Sequence, residues 1–240
     1  MTRPTVWITR TPEGAKATAR AVEAMGYDAL LAPVLKVIQL KPVIDPHSFG
    51  AVIFTSRNGL AAFCAVCNRR SITAYCVGDA TAEGARARKF RQVISAHGDI
   101  DALHDLLKAE ADRATRLLYA APKEPAAHLT SALRADGFLV NEVAVYETRE
   151  IQPALSPAEL GRIRHVLVHS PKAGRAAAKT LTAHHDKIAF KNLTFVCISE
   201  AAWQAVAGGL AAGGVDMAAG APSHLIAAFP DEASMLKLLG

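Results

Sequence analysis

Ala51-Val52-Ile53-Phe54-Thr55-Ser56-Arg57-Asn58-Gly59 and His165-Val166-Leu167-Val168-His169-Ser170-Pro171-Lys172-Ala173 are the two stretches on which the fold turns. Each is an apolar run ending in a Ser that can cap a following helix. A run that is apolar throughout, not at every second residue, reads as a strand buried on both faces, hence as parallel sheet between layers of helix. Ser56 and Ser170 coincide when the stretches are laid together, and the likeness continues downstream. Ala74-Tyr75-Cys76-Val77-Gly78-Asp79-Ala80-Thr81-Ala82 parallels Phe195-Val196-Cys197-Ile198-Ser199-Glu200-Ala201-Ala202-Trp203, each a strand, a small polar turn and an alanine-rich helix. Both long units are expected to close with a further helix, at Ile100 to Lys108 and at Ser223 to Phe229.

A shorter pair repeats as well. Val6-Trp7-Ile8-Thr9 reads as a strand, Thr11-Pro12-Glu13 as a helix start, Ala15 to Met25 as the helix, Gly26 as its close and Tyr27 to Val37 as a second strand. In the other copy Leu117-Leu118-Tyr119 is the strand and Pro122-Lys123-Glu124-Pro125 opens the helix. Leu129 and Leu133 are apolar at i and i+4, Gly137 closes the helix, and Phe138 to Tyr146 is the next strand. With Gly26 laid on Gly137, Leu35 falls on Tyr146.

The units therefore run short, long, short, long. Lys108 to Arg116, expected to be helical, joins the first long unit to the second short one. The other two junctions carry Pro42 and Pro46, and Pro153 and Pro157, which suits crossings between domains. The expectation is an α/β chain with two doubly wound parallel-sheet lobes, one inserted in the other. The inserted lobe is residues 41–147, and the outer one combines residues 1–38 with residues 149–240. The crossings Leu35 to Leu40 and Val143 to Ile151 are expected to pair as a two-stranded antiparallel ladder.

A chain of 240 residues, 51% hydrophobic and only 20% charged, is long and apolar enough to bury a core without disulfides or metal, which excludes disorder. It has no apolar run long enough to span a membrane, and Arg10 follows an apolar stretch too short for a signal-peptide core, so a cytoplasmic protein is expected. A net charge of +5 suits an anionic small molecule and falls short of a nucleic-acid surface. Arg86, Arg88, Lys89 and Arg91 read as a solvated helix end. Cys64-Ala65-Val66-Cys67 lacks the second pair that a zinc site needs, and Cys76 and Cys197 read as small core residues.

Open parallel sheets bind ligands beyond the carboxyl ends of their strands. Here those turns supply Thr9, Arg10 and Thr11, then Thr55, Ser56 and Arg57, then Gly78 and Thr81, then Ser170 and Lys172, then Ser199. One such residue alone is a helix cap. Together, in two facing lobes, they point to a cleft for a ligand with several carboxylates or phosphates. No GxxxxGK[ST], GxGxxG or GxSxG occurs. Among the nine histidines, His184-His185 lies in a polar segment, His97 and His104 flank a helix start, and His169 is matched by Thr55. Paired carboxylates at a strand end are missing. Tyr146 breaks the repeat with useful chemistry, because a phenol of pKa near 10 can donate a hydrogen bond or act as a weak general acid.

Thr9-Arg10, Phe54-Thr55-Ser56-Arg57-Asn58-Gly59, Val77-Gly78-Asp79-Ala80-Thr81-Ala82, Gly137 before Val145-Tyr146-Glu147-Thr148, and Val168-His169-Ser170-Pro171 stand in order and spacing similar to the uroporphyrinogen-III synthase family. The resemblance spans nearly the whole chain, and the inserted-domain arrangement is similar too. It implies cyclisation of hydroxymethylbilane, a linear tetrapyrrole with eight carboxylates, with inversion of ring D and loss of water, and it implies no cofactor or metal. It places Tyr146 on a cleft tyrosine that assists departure of the hydroxyl, and Ser56, Thr81 and Ser170 on carboxylate-contacting positions. With the other turns, the expected substrate contacts are Arg10, Thr55, Ser56, Gly78, Thr81, Ser170, Lys172 and Ser199. Two departures stand out: Ala202 occupies the place of a turn Thr, and Ala121-Pro122-Lys123 lacks an arginine common in the family. A monomer is expected. The competing reading is a non-catalytic two-lobed protein that binds or senses an anion or tetrapyrrole.

Overall fold

The computed structural model describes residues 3–125 and 128–240. In chain order its elements begin with β1 (Thr5–Ile8), α1 (Pro12–Ala24), β2 (Asp28–Leu31), β3 (Leu35–Gln39), β4 (Ala51–Phe54), α2 (Arg57–Val66), β5 (Thr73–Cys76), α3 (Asp79–Ala87) and β6 (Gln92–Ser95). Then come α4 (Ile100–Glu110), β7 (Leu117–Pro122), α5 (Leu129–Ala135), β8 (Val140–Glu150), α6 (Pro157–Arg162), β9 (Ile163–Val168) and α7 (Pro171–Thr182). The chain finishes with β10 (Thr194–Cys197), α8 (Glu200–Ala212), β11 (Ser223–Ile226) and α9 (Glu232–Leu236).

The chain divides into two compact units, Met1–Lys36 with Arg149–Gly240, and Val37–Thr148. The first holds a five-stranded sheet of order β11-β10-β9-β1-β2, the second a six-stranded sheet of order β3-β8-β7-β4-β5-β6. Leaving out β3, both sheets share one spatial pattern. The short piece supplies a pair of strands and the long piece three that run the other way across the sheet. In the first unit the short piece comes first in the chain, in the second the long piece does, so the two are circular permutations of each other. This is the short, long, short, long order made three-dimensional. The pairings within both five-strand sets are parallel.

Fully apolar strands need cover on both faces, and the cores supply it. In the first unit, Trp7, Val166, Val168, Phe195 and Cys197 pack under α7 and α8, while Val6, Ile8, Leu167 and Val196 pack under α1 and the C-terminal segment. In the second unit, Val52, Phe54, Ala74 and Cys76 pack under α2 and α3, and Ile53, Tyr75, Leu117 and Tyr119 under α4 and α5. The Trp7 indole, fully buried, donates to the Ala32 carbonyl at 2.7 Å, so its one polar atom is satisfied.

The expected linker ladder is present: β3 lies beside β8. Leu40 N–H donates to Val145 O at 2.8 Å and Ile151 N–H to Val34 O at 2.9 Å, an antiparallel register because one sequence number rises as its partner falls.

Four local expectations are corrected, and one strand, β6, has no counterpart among them. Tyr27 to Val37 is two strands, β2 and β3, in different sheets, since Pro33 between them has no N–H to carry a ladder onward. Ser223 to Phe229 is not a helix: Ser223–Ile226 is a strand parallel to β10, and the last helix is α9. Pro222 and Pro230 bracket this segment and leave too few residues for a stable helix, while a vacant sheet edge satisfies its backbone. β6 follows directly on the basic cluster at the end of α3, which masks it in the sequence. Lys108 to Arg116 leaves the helix at Glu110 and turns. Pro122 still belongs to β7, and α5 begins at Leu129; the part of the expected helix opening at residues 126 and 127 lies outside the described residues.

Candidate functional site

In each sheet the strand order reverses at one point, between β1 and β9 in the first unit and between β7 and β4 in the second. Chain connections leave such a point on opposite faces, which opens a crevice beyond the carboxyl ends of the two strands. Thr9-Arg10 and His169-Ser170 stand at the first reversal, Thr55-Ser56 and Lys123 at the second.

At the second reversal two phenol and hydroxyl pairs face opposite sides of one sheet edge. Ser56 Oγ lies 3.1 Å from the Tyr146 hydroxyl, and Thr55 Oγ1 lies 3.1 Å from the Tyr119 hydroxyl. Ser56 caps α2 by accepting from Gly59 N–H at 3.0 Å. A Cβ on Gly59 would meet Ala120 O at 2.7 Å and Tyr146 Cε1 at 3.7 Å, so the missing side chain lets α2 sit tight against β7 beside the tyrosine. A bulge in β8 aims Tyr146: Ala121 pairs with Ala144 but Pro122 pairs with Tyr146, skipping Val145. As a result Val145 and Tyr146, neighbours in sequence, both enter the same core. Burial pushes the Tyr146 phenol above its ordinary value of 10.0, and the hydrogen bond with Ser56 pulls part of the way back. Burial also raises Tyr119, with the Thr55 hydrogen bond opposing and nearby Tyr146 adding to the rise. Both phenols therefore keep their protons at neutral pH.

Gly78 is the N-cap of α3 and offers backbone only, while Thr81 is 5% exposed, so little of its hydroxyl side reaches a ligand. Beside them His97 Nδ1 pairs with Asp79 Oδ1 at 2.8 Å, and His97 adopts a left-handed backbone, φ 54. His97 and His104 flank the start of α4 as expected, and His104 bonds Asp136 at 2.7 Å.

At the first reversal Ser170 caps α7 by accepting from Ala173 N–H at 3.1 Å, and one strand further, after β10, Ser199 caps α8 by accepting from Ala202 N–H at 3.3 Å. Thr9 is buried and donates to Leu167 O at 2.6 Å. Arg10 is already engaged, by Glu232 at 2.9 Å and Thr18 at 3.3 Å, and its guanidinium lies over Gly14, where a Cβ would collide with it. Lys172 stands in the first turn of α7 and is part-buried. The three serines thus all cap helices, and each retains a hydroxyl proton with which to donate. Ala202, in place of the expected Thr, is fully buried, and its carbonyl oxygen would lie 2.8 Å from a Cβ on Gly174. The close crossing of α7 on α8 explains a small residue there.

Sequence reasoning misses Tyr119. Its signal is a polar-tipped aromatic at the third position of an otherwise aliphatic strand, well short of the strand's carboxyl end. His169 reads in sequence as no more than the counterpart of Thr55, yet both its ring nitrogens are buried without a hydrogen-bond partner. Burial, and next the charge of Arg10, hold the imidazole down at about 4, with Glu232 opposing.

Among the described residues no group of His, Cys, Asp or Glu could hold a metal ion, and no helix is long and apolar enough to cross a membrane. Cys76 and Cys197 are buried in the cores as expected.

Two doubly wound parallel units, one inserted in the chain of the other and joined by a two-stranded ladder, define the class: a two-lobed α/β protein with hydroxyl groups gathered at its strand-order reversals. The family model described as uroporphyrinogen-III synthase HemD matches residues 16–210, and the chain belongs to the uroporphyrinogen-III synthase family. It is accordingly an enzyme of porphyrin and heme biosynthesis that acts on a small-molecule tetrapyrrole. Its fold is similar to that of the uroporphyrinogen-III synthetase of Helicobacter pylori, at 21% identity and TM-score 0.62, covering 99% of this chain and 98% of the other. A variant of the uroporphyrinogen III synthase of Thermus thermophilus is similar at 14% identity and TM-score 0.53, covering 98% and 97%. No curated protein matches the sequence significantly.

Proposed function

We propose that this chain cyclises hydroxymethylbilane to uroporphyrinogen III, as a cyclising hydro-lyase, with Tyr146 as the general acid. Family membership over residues 16–210 carries the reaction. The Ser56–Tyr146 hydroxyl pair at the strand-order reversal supports the residue assignment.

The substrate closes unaided to the wrong isomer, so the protein's task is to hold the chain where inverted closure is faster. Loss of the terminal hydroxyl is the step that needs a proton. The nitrogen lone pair of the terminal pyrrole pushes the hydroxyl out as an azafulvene forms, and Tyr146 gives its proton to the departing oxygen, which leaves as water. Ser56 accepts from Gly59 N–H, so its own proton turns to the Tyr146 oxygen and steadies the phenolate left behind. After the spiro intermediate reopens and ring D closes the other way, the proton shed from its carbon restores the phenol. Thr55, Gly78 and Thr81 in one unit, and Arg10, Ser170, Lys172 and Ser199 in the other, are the proposed carboxylate contacts, Arg10 by exchanging its Glu232 partner for a substrate carboxylate and Thr81 through the small part of it that is exposed. Among them Ser170 and Ser199 bring a free hydroxyl proton beside a helix N-terminus. The working domains are proposed as residues 1–38 with 149–240 and residues 41–147, in a cytoplasmic monomer that needs neither metal nor cofactor.

The test supplies hydroxymethylbilane to purified protein and resolves the isomers after oxidation. Type III product that rises with enzyme concentration is expected; type I alone at every concentration refutes the activity. Tyr146→Phe should lower kcat about 100-fold, the lower end of what a general acid contributes, and more than any single Ser or Thr replacement. Unchanged turnover removes Tyr146 from the chemistry.

A further inference from the structure

We infer that Tyr119 is a positioning residue for substrate binding, acting through Thr55; this rests on the proposed synthase activity and extends its site to the opposite face of the sheet edge. Tyr119 stands beside Ile53 in the parallel register of β7 and β4. Thr55 is two residues beyond Ile53 on the same face, about 6.6 Å further along the strand direction, a distance that the length of a tyrosine side chain spans. That is why the phenol reaches the Thr55 hydroxyl, at 3.1 Å.

Burial decides which of the two can touch a ligand. Tyr119 is 3% exposed, within a core of Ile53, Leu117, Leu129 and Leu133, so it does not meet substrate itself. Thr55 is only half-buried and stands at the strand end, directly before the Ser56 cap. The two hydroxyls carry two protons. Either oxygen can donate across this contact; with a carboxylate beside Thr55 to take the Thr55 proton, the phenol, the stronger acid, donates to Thr55 Oγ1, which strengthens Thr55 as a donor to that carboxylate. Without the phenol, Thr55 is free to turn its hydroxyl back to its own backbone, as threonines at helix starts do. The acceptor that fits is a carboxylate, because Thr55 then supplies a single neutral donor in a turn whose neighbouring α2 presents free N–H groups. The arrangement mirrors Ser56 with Tyr146 on the other face, but the roles differ. Tyr146 meets the reacting oxygen, whereas Tyr119 sets the aim of a carboxylate contact away from it, so its loss should weaken binding of ground state and transition state alike.

The experiment measures kcat and KM for hydroxymethylbilane in the full chain carrying Tyr119→Phe, Thr55→Val, both together, and Thr55→Ser. Tyr119→Phe removes one oxygen and keeps the ring that fills the core. Expected are a KM raised about fivefold in each single variant with kcat within twofold, no further rise in the double variant, and near-normal KM in Thr55→Ser, which keeps a hydroxyl for the phenol to hold. A normal KM in Tyr119→Phe, or single effects that multiply in the double variant, overturns the inference. Should Tyr119→Phe fail to fold, Thr55→Val decides: a normal KM there overturns the inference equally. Failure of the underlying activity has a different signature, namely no type III product from the unaltered chain.

Discussion

Acidification should expose the cost of His169, and the structure sets its size. The imidazole is held at about 4 in the folded protein against an ordinary 6.5, by burial first and the Arg10 charge second. A folded-state value below the unfolded one means that the unfolded chain takes up the proton first as pH falls. Stability from this group is therefore complete above pH 6.5 and is lost on the way down to pH 4. At 1.36 kcal/mol per pH unit the full loss is about 3 kcal/mol, most of it already incurred at pH 4.5, a large share of a stability of about 5–15 kcal/mol. Replacing the ring by one that cannot titrate isolates the effect, because the acid titration of the carboxylates is common to both proteins. His169→Phe keeps the shape and also removes two buried nitrogens that have no partner. Both tryptophans, Trp7 and Trp203, lie in the same unit as His169, so tryptophan fluorescence follows that unit alone in urea. The variant should be no less stable than the parent at pH 7.5, and the gap in its favour should widen by about 2–3 kcal/mol at pH 4.5. Parallel profiles of stability against pH would refute the reasoning, since they would mean that His169 takes its proton in the folded state as readily as in the unfolded one.

Gly174→Ala should destabilise the first unit by about 1–3 kcal/mol, read by the same fluorescence titration, because the new Cβ would meet the Ala202 carbonyl oxygen at 2.8 Å and backbone there cannot easily yield. An unchanged midpoint would show that α7 and α8 move apart at no cost. Burial pushes the Cys76 and Cys197 thiols up from 9.0 to about 12, so each contributes stability that is whole below pH 9 and lost as pH rises toward 12. Cys76→Ala and Cys197→Ala should flatten that alkaline fall, and the native thiols should resist alkylation at pH 8 until the protein is unfolded; rapid labelling of folded protein would contradict the burial.

Much of the fold was legible because its signals are local. Strands apolar at every position, such as Val52-Ile53-Phe54, require helices on both faces whatever follows, and Ser56, Ser170 and Ser199 announce helix starts through a bond that spans three residues. The failures were of another kind. Ser223–Ile226 becomes a strand because β10 offers it an edge, and β6 forms beside β5 for the same reason. Neither segment carries its own reason to be extended.

The candidate site divides along the same line. Residue types at strand ends pointed to Thr55 and Ser56 as donors near a ligand, a break in the repeat pointed to Tyr146, and motif order pointed to the family. Strict alternation along β8 would send Val145 and Tyr146 to opposite faces, and it is the bulge opposite Pro122 that turns both to one core and brings Tyr146 to Ser56. Tyr119 reads as an ordinary strand residue until β7 is set beside β4 and its hydroxyl meets Thr55. Arg10 reads as a free cation until a glutamate from the far end of the chain pairs with it. The sequence by itself determined which segments are strands or helices where a period, a cap or a proline acts within a few residues, and through the repeat it determined that there are two units. The tertiary structure alone decided which hydroxyls share a proton, which charge is already spent and which way Tyr146 faces, because those depend on register and on contacts between residues far apart in the chain.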